Sequence, residues 1–168
     1  MTDVQHISRK GDKQFLFQVE LNWLLNQKGL LSAHDVPEKI HVATPALFGG
    51  EGKEWSPEHL FLSAISSCFM TTYLAFAKKF GFEISNFECS AIGQVDLVEG
   101  RYQFTRINLF PKIFISDTAF KPKAKLALER TQKYCLVSNS INAEMIYHSE
   151  VLISAEHKQF KNNGYAIL

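Results

Sequence analysis

Apolar side chains fall on every second position at Phe15, Phe17, Val19, Leu21 and Trp23, the period of a half-buried strand. Residues 26–29, Asn-Gln-Lys-Gly, read as a turn-like stretch, and a shorter apolar segment around Ile40 and Val42 returns after it. Residues 48–52, Phe-Gly-Gly-Glu-Gly, read as a flexible loop that feeds the longest apolar segment of the chain. There the period changes. Leu62, Ile65, Phe69, Tyr73, Phe76 and Phe80 recur three and four residues apart, which predicts a helix over residues 56–81 with a broad stripe against a core. Ser56 can cap it, Pro57 suits the first helical position, Glu58 favours the positive end of the dipole and Trp55 can staple against Leu60. Gly81 is a natural stop.

Beyond the helix the alternation resumes at Phe87, Cys89, Ala91, Val95 and Leu97, turns at residues 98–101 and continues over residues 102–110, a predicted antiparallel hairpin. A second helix is expected from about Pro122, turning Ala124, Ala127, Leu128, Thr131 and either Tyr134 or Cys135 inward. A last strand is expected over residues 143–153, and residues 154–168 carry no readable pattern. The order strand, strand, long helix, hairpin, helix, strand is that of one α+β domain. A helix of that length spans about 37 Å, and an apolar circumference so long asks for more cover than the rest of the chain offers. A second subunit is the simplest cover.

Composition narrows the partners. Lysine and arginine number 18 against 17 acidic residues, so no net field favours nucleic acid or an anionic membrane. The amino terminus lacks the apolar core of a signal peptide, and no uninterrupted apolar run reaches the eighteen or so residues of a spanning helix, so a cytoplasmic, soluble protein is expected. His41, His59 and His148 lack the short spacing of metal ligands, and the glycines of residues 48–52 lack the order of a phosphate-binding loop, so neither a metal nor a bound cofactor is expected. The lysines of residues 121–133 read as a solvated helix face.

Three cysteines, Cys68, Cys89 and Cys135, are too few and too scattered for a disulfide framework. Cys89 sits on the apolar face of its strand. Cys68 lies about 100° round the helix from Phe69 and shares its face with Ala64, Thr71, Thr72 and Ala75, a small-residue surface away from the main stripe. Cys68 and Cys135 both fall on inward helix faces, and a disulfide between them needs only that those faces oppose. Two thiols so placed describe a redox cycle of thiolate, sulfenic acid and disulfide, which requires a depressed thiol pKa and a cation nearby. Mid-helix placement gives Cys68 no help from the terminus of its own helix.

The segment Trp55-Ser56-Pro57-Glu58-His59-Leu60 running to Cys68-Phe69, and the segment Cys135-Leu136-Val137-Ser138-Asn139, resemble the two motifs of the OsmC/Ohr family of thiol-dependent hydroperoxide reductases, with Phe48-Gly49-Gly50 similar to the loop before the helix. The likeness follows one order over residues 19–153. It implies an OsmC-like fold, with antiparallel sheets around long central helices in an intertwined homodimer, and reduction of organic hydroperoxides with an external dithiol as reductant. It also implies that Cys68 is peroxidatic, Cys135 resolving and Glu58 a charge partner. Ten residues of straight helix separate Glu58 from Cys68 by about 15 Å, so Glu58 is expected to serve the partner's site. Two positions depart from the family pattern. Lys28 stands where the family has an arginine, keeping the charge but losing the planar fork, and Leu136 stands where a proline usually follows the resolving cysteine. The alternative reading is a redox-responsive or small apolar ligand-binding dimer with little or no peroxidase activity.

Overall fold

A computed structural model describes residues 14–154, which fall into two compact units divided in sequence between Pro57 and Glu58. The first is an antiparallel meander of β1 (Glu20–Leu25), β2 (Lys28–Ala33) and β3 (Val36–Ala43). Residues 26–29 are therefore a correction: the turn is confined to Asn26 and Gln27, and Lys28 and Gly29 already pair within the sheet. Asn26 takes a left-handed φ of 52°, which its short polar side chain tolerates, and this compresses the reversal to two residues. Leu30 and Leu31 are adjacent, so β2 carries no alternation by which to recognise it. A Cβ at Gly29 would lie 2.8 Å from Leu21 Cδ1, so a side chain there would displace the exposed Leu21 tip.

The strand expected over residues 15–23 is a correction: β1 begins only at Glu20, so Phe15, Phe17 and Val19 precede it, and the alternation does not mark a half-buried strand within this chain. Every β1 residue is exposed, and Phe17 and Trp23 are 91% and 73% accessible. Period two reports which side chains share a face, not what covers it. After β3 the chain makes a 3-10 turn at Ala46–Phe48, and Gly50 passes so close to Thr44 that a Cβ would meet its carbonyl oxygen at 1.7 Å. Gly50 thus serves a tight backbone approach, and Ala43 N–H then donates to Trp55 O at 2.9 Å.

The second unit begins with α1 (Pro57–Lys79), followed by β4 (Asn86–Val98), β5 (Arg101–Ile115), α2 (Lys121–Tyr134), β6 (Glu144–Tyr147) and β7 (Glu150–Ile153). β4 and β5 form the expected hairpin, with β5 longer than its predicted end at residue 110. The expected last strand is two: β6 and β7 both pair with β5, and both are parallel to it, so this sheet is mixed rather than antiparallel throughout. One register holds on both sides of the break, Leu109 with Tyr147 and Lys112 with Glu150, so the break falls opposite Phe110 and Pro111. Pro111 has no N–H to give a ladder.

The core lies where both helices pack on β5. Ile65, Phe69, Tyr73 and Ala77 of α1 and Ala124, Ala127, Leu128 and Thr131 of α2 are buried with Ile107, Leu109, Ile113 and Ile115, the alternate residues of β5. Each large aliphatic or aromatic side chain in that set contributes about 2 kcal/mol by leaving water. The predicted stripes are those seen, with Leu62, Phe76 and Phe80 half-buried at their edge and Tyr134 outside. The opposite side of α1, including Ala64, Thr71, Leu74 and Ala75, is exposed. Although its apolar runs are short, α1 is long enough and apolar enough on average to cross a membrane by length and composition, a test that core helices also pass.

Candidate active site

Cys68 sits midway along α1, beside rather than on the buried stripe, and is half-buried. Cys135 caps the carboxyl end of α2, where its N–H still donates to Thr131 O at 2.9 Å, and it is fully buried. The chain then turns back tightly: Asn139 N–H reaches Cys135 O at 3.1 Å, Asn139 Nδ2 reaches Lys133 O at 2.9 Å and Ser140 Oγ reaches Leu136 O at 2.8 Å. These local bonds satisfy carbonyls left over at the helix end and fix the direction of the amides that follow.

One of those amides serves the other helix. Val137 N–H donates to Cys68 Sγ at 3.5 Å, and the Leu136 amide, the Thr72 hydroxyl and the Cys135 thiol also hydrogen-bond to this sulfur. Burial pushes the Cys68 thiol up, but these donors outweigh it, and the thiol ionises below the usual range. Donors supplied by a returning loop thus do what the terminus of α1 cannot do for a residue at its middle.

Cys135 differs. Burial pushes its thiol up, the Ser138 hydroxyl and amide act against that, and the neighbouring Cys68 raises it again. Ser138 Oγ donates to Cys135 Sγ at 3.2 Å. Beyond Ser138 lies Tyr147 of β6, whose ring stacks on Phe69 at 5.6 Å and whose phenol is pushed up by burial while Ser138 acts in the opposite direction. Cys68, Cys135 and Ser138 thus lie side by side, the serine hydroxyl on the second sulfur. Neither sulfur is in a disulfide.

Of the four residues predicted for the site, the fold brings Cys68 and Cys135 together. Glu58 is in the first turn of α1, and its Oε2 is buried without a hydrogen-bond partner among the described residues. Lys28 belongs to the first unit, where its Nζ is 3.0 Å from Glu51 Oε2 and holds that carboxylate below its usual range. Sequence reasoning did not assign roles to Thr72, Ser138, Tyr147 or the amides of Leu136 and Val137. The spacing Cys135-x-x-Ser138 was visible, but only the 3-10 turn at Ser138–Ser140 aims the hydroxyl at the sulfur. His148 stacks on Phe110 at 4.5 Å and pairs with Asn108, and no group of three or more potential metal ligands is clustered among the described residues.

A family model described as OsmC-like protein matches residues 50–148. The uncharacterised protein YmaD of Bacillus subtilis is 21% identical over 145 residues, covering 83% of this chain and 97% of that one. Among solved structures, an OsmC-like protein of unknown function from Vibrio cholerae superposes with a TM-score of 0.69 at 18% identity, covering 81% of this chain and 99% of that one. An organic hydroperoxide resistance protein from Elizabethkingia anophelis gives a TM-score of 0.67 at 17% identity, covering 84% and 99%.

Proposed function

The chain belongs to the OsmC-like family, and from that premise we propose that it is a thiol-dependent peroxidase that reduces organic hydroperoxides. The observation that carries this reading is the Val137 N–H directed at Cys68 Sγ with the Cys135 thiol on the same sulfur. A thiolate stabilised by amides is the form that attacks a peroxide oxygen. The O–O bond breaks, Cys68 becomes a sulfenic acid, and the departing alkoxide takes a proton to become an alcohol. Cys135 then attacks the Cys68 sulfur, forming a disulfide and releasing water, and an external dithiol restores both thiols as it is itself oxidised. No bound cofactor enters the cycle. The apolar surroundings, with Phe69 packed beside Cys68 and Leu136 largely exposed next to it, favour an alkyl hydroperoxide over hydrogen peroxide.

The working unit is a cytoplasmic homodimer. The exposed face of α1 and the uncovered apolar side chains of β1 support it, because a monomer leaving both in water would expose unusually large apolar patches. Glu58 serves the partner's site in this reading, its unpaired buried oxygen finding a donor there. A second reading, a redox-responsive dimer with slow turnover, draws on the ion pair of Lys28 with Glu51, which occupies the lysine that stands for the family arginine. Turnover of a bulky alkyl hydroperoxide with a dithiol, measured beside Cys68→Ser, separates the two. Rapid consumption by the parent alone is expected; equal consumption by both proteins overturns the peroxidase reading.

A further inference from the structure

Ser138 is 6% exposed, and its hydroxyl donates to a sulfur that is itself fully buried. A buried hydroxyl has many possible acceptors, and a neutral thiol is among the weakest. The surrounding turn is held independently of this contact, through Asn139 Nδ2 to Lys133 O at 2.9 Å and Ser140 N–H to Val137 O at 3.0 Å. The Ser138 contact is therefore not required to shape the loop. What it does is place one O–H on the resolving sulfur, while Val137, one residue earlier, places an N–H on the peroxidatic one.

We propose that Ser138 is a catalytic residue of the resolving half-reaction, donating to Cys135 Sγ as that sulfur becomes the attacking thiolate. The proposal rests on the peroxidase reading and assigns the step that follows oxidation. When Cys68 is the thiolate, the form that attacks a peroxide, Cys135 stays a thiol that donates to it. Once Cys68 is a sulfenic acid that charge is gone, and Cys135 can lose its proton in a site too dry for water to stabilise the thiolate. The Ser138 O–H supplies that stabilisation. The S–S bond forms as the Cys68 S–O bond breaks, and the leaving hydroxide takes the proton given up by Cys135, so that one water is released. Cys68 sulfur is reduced from sulfenic acid to disulfide while Cys135 is oxidised, and no further oxidant is needed.

The test separates the two half-reactions in Ser138→Ala, Ser138→Val and Ser138→Thr. One equivalent of alkyl hydroperoxide is added to the reduced protein, and sulfenic acid formation, disulfide formation and sulfinic acid accumulation are followed by rapid quench and intact mass. Oxidation of Cys68 is expected to stay within about twofold of the parent in all three variants, whereas disulfide formation slows about tenfold or more in the alanine and valine variants. Sulfinic acid should build up there as the unresolved sulfenic acid meets further peroxide. Threonine, which differs from valine by the hydroxyl, should restore resolution to within about threefold. Disulfide formation at the parent rate in the valine variant overturns the proposal, as does equal slowing in the threonine and valine variants; that pair decides the matter even where alanine prevents folding. A parent protein that forms no sulfenic acid would instead overturn the peroxidase reading on which the proposal rests.

Discussion

Cys68 and Cys89 are both half-buried free thiols in the same unit, packed against the same core, yet their environments drive them apart. Cys89 lies on β4, and burial is the largest influence on it; hydrogen bonds with the Ser66 side chain and the Phe110 backbone do not offset that, and its thiol is pushed up. Cys68 is desolvated too, but receives amides from residues 136 and 137, a thiol and a hydroxyl, and its thiol moves down. Both are half-buried cysteines. The difference is a loop, distant in sequence, that returns with unpaired N–H groups and meets one sulfur but not the other.

The contrast breaks most easily at the sulfurs themselves. Cys68→Ser is expected to lower hydroperoxide turnover by at least about a thousandfold, while Cys89→Ser stays within about twofold, as coupled dithiol oxidation would measure. A large loss in the Cys89 variant would mean that the wrong thiol has been assigned.

A pH series sharpens the same comparison. The reactive form is the thiolate, so a lowered pKa at Cys68 gives a rate that is flat above that pKa and falls about tenfold per unit below it. Cys89, pushed up, should remain protonated beyond the ordinary thiol value of about 8.5, so its alkylation rises only in more alkaline solution. Rates of iodoacetamide labelling, resolved by peptide mass, read both curves in one sample. Coincident curves would show that the returning loop does not distinguish the two sulfurs.

These environments were only partly legible in the sequence. The buried faces of α1 and α2 follow from side-chain spacing, because a helix with one core-facing stripe repeats it at fixed intervals, and Ile65, Phe69, Ala124 and Ala127 are where that spacing puts them. The strand β2 was not legible, since adjacent leucines carry no period, nor was the break at residues 148 and 149, which is set by Pro111 of a different strand. In the site, the two cysteines were visible as residue types on inward faces. Their donors were not, because an amide N–H belongs to every residue except proline and only the turn after α2 says where it points.

Glu58 tests whether the contrast is completed by a second protomer. Glu58→Gln is expected to lower kcat/KM about tenfold. If Glu58 serves the partner's site, dimers that pair a Glu58→Gln chain with a Cys68→Ser chain hold one intact site, made from Cys68 of the first and Glu58 of the second. Unfolding and refolding an equal mixture should then restore about a quarter of the parent activity, from half the dimers with one working site of two. Activity no higher than the mean of the two separate variants would place Glu58 outside the partner's site.

The smallest effect is the most specific to this chain. Leu136 occupies the position after the resolving cysteine, and its N–H is one of the donors to Cys68. A proline there would remove that donor and leave the others. The preceding residue accepts the change: Cys135, the last to donate to the helical ladder, has φ −64° and ψ 113°, in the extended region compatible with a following proline. Leu136→Pro should therefore fold as the parent does, raise the pKa of Cys68 and slow its oxidation near neutral pH about threefold, with the parent rate recovered at higher pH as the thiolate fills. Cys89 should be unmoved. A slowing that persists in alkaline solution would instead assign Leu136 to contact with the peroxide, through its exposed side chain, and leave Val137 as the amide that sets the thiol apart.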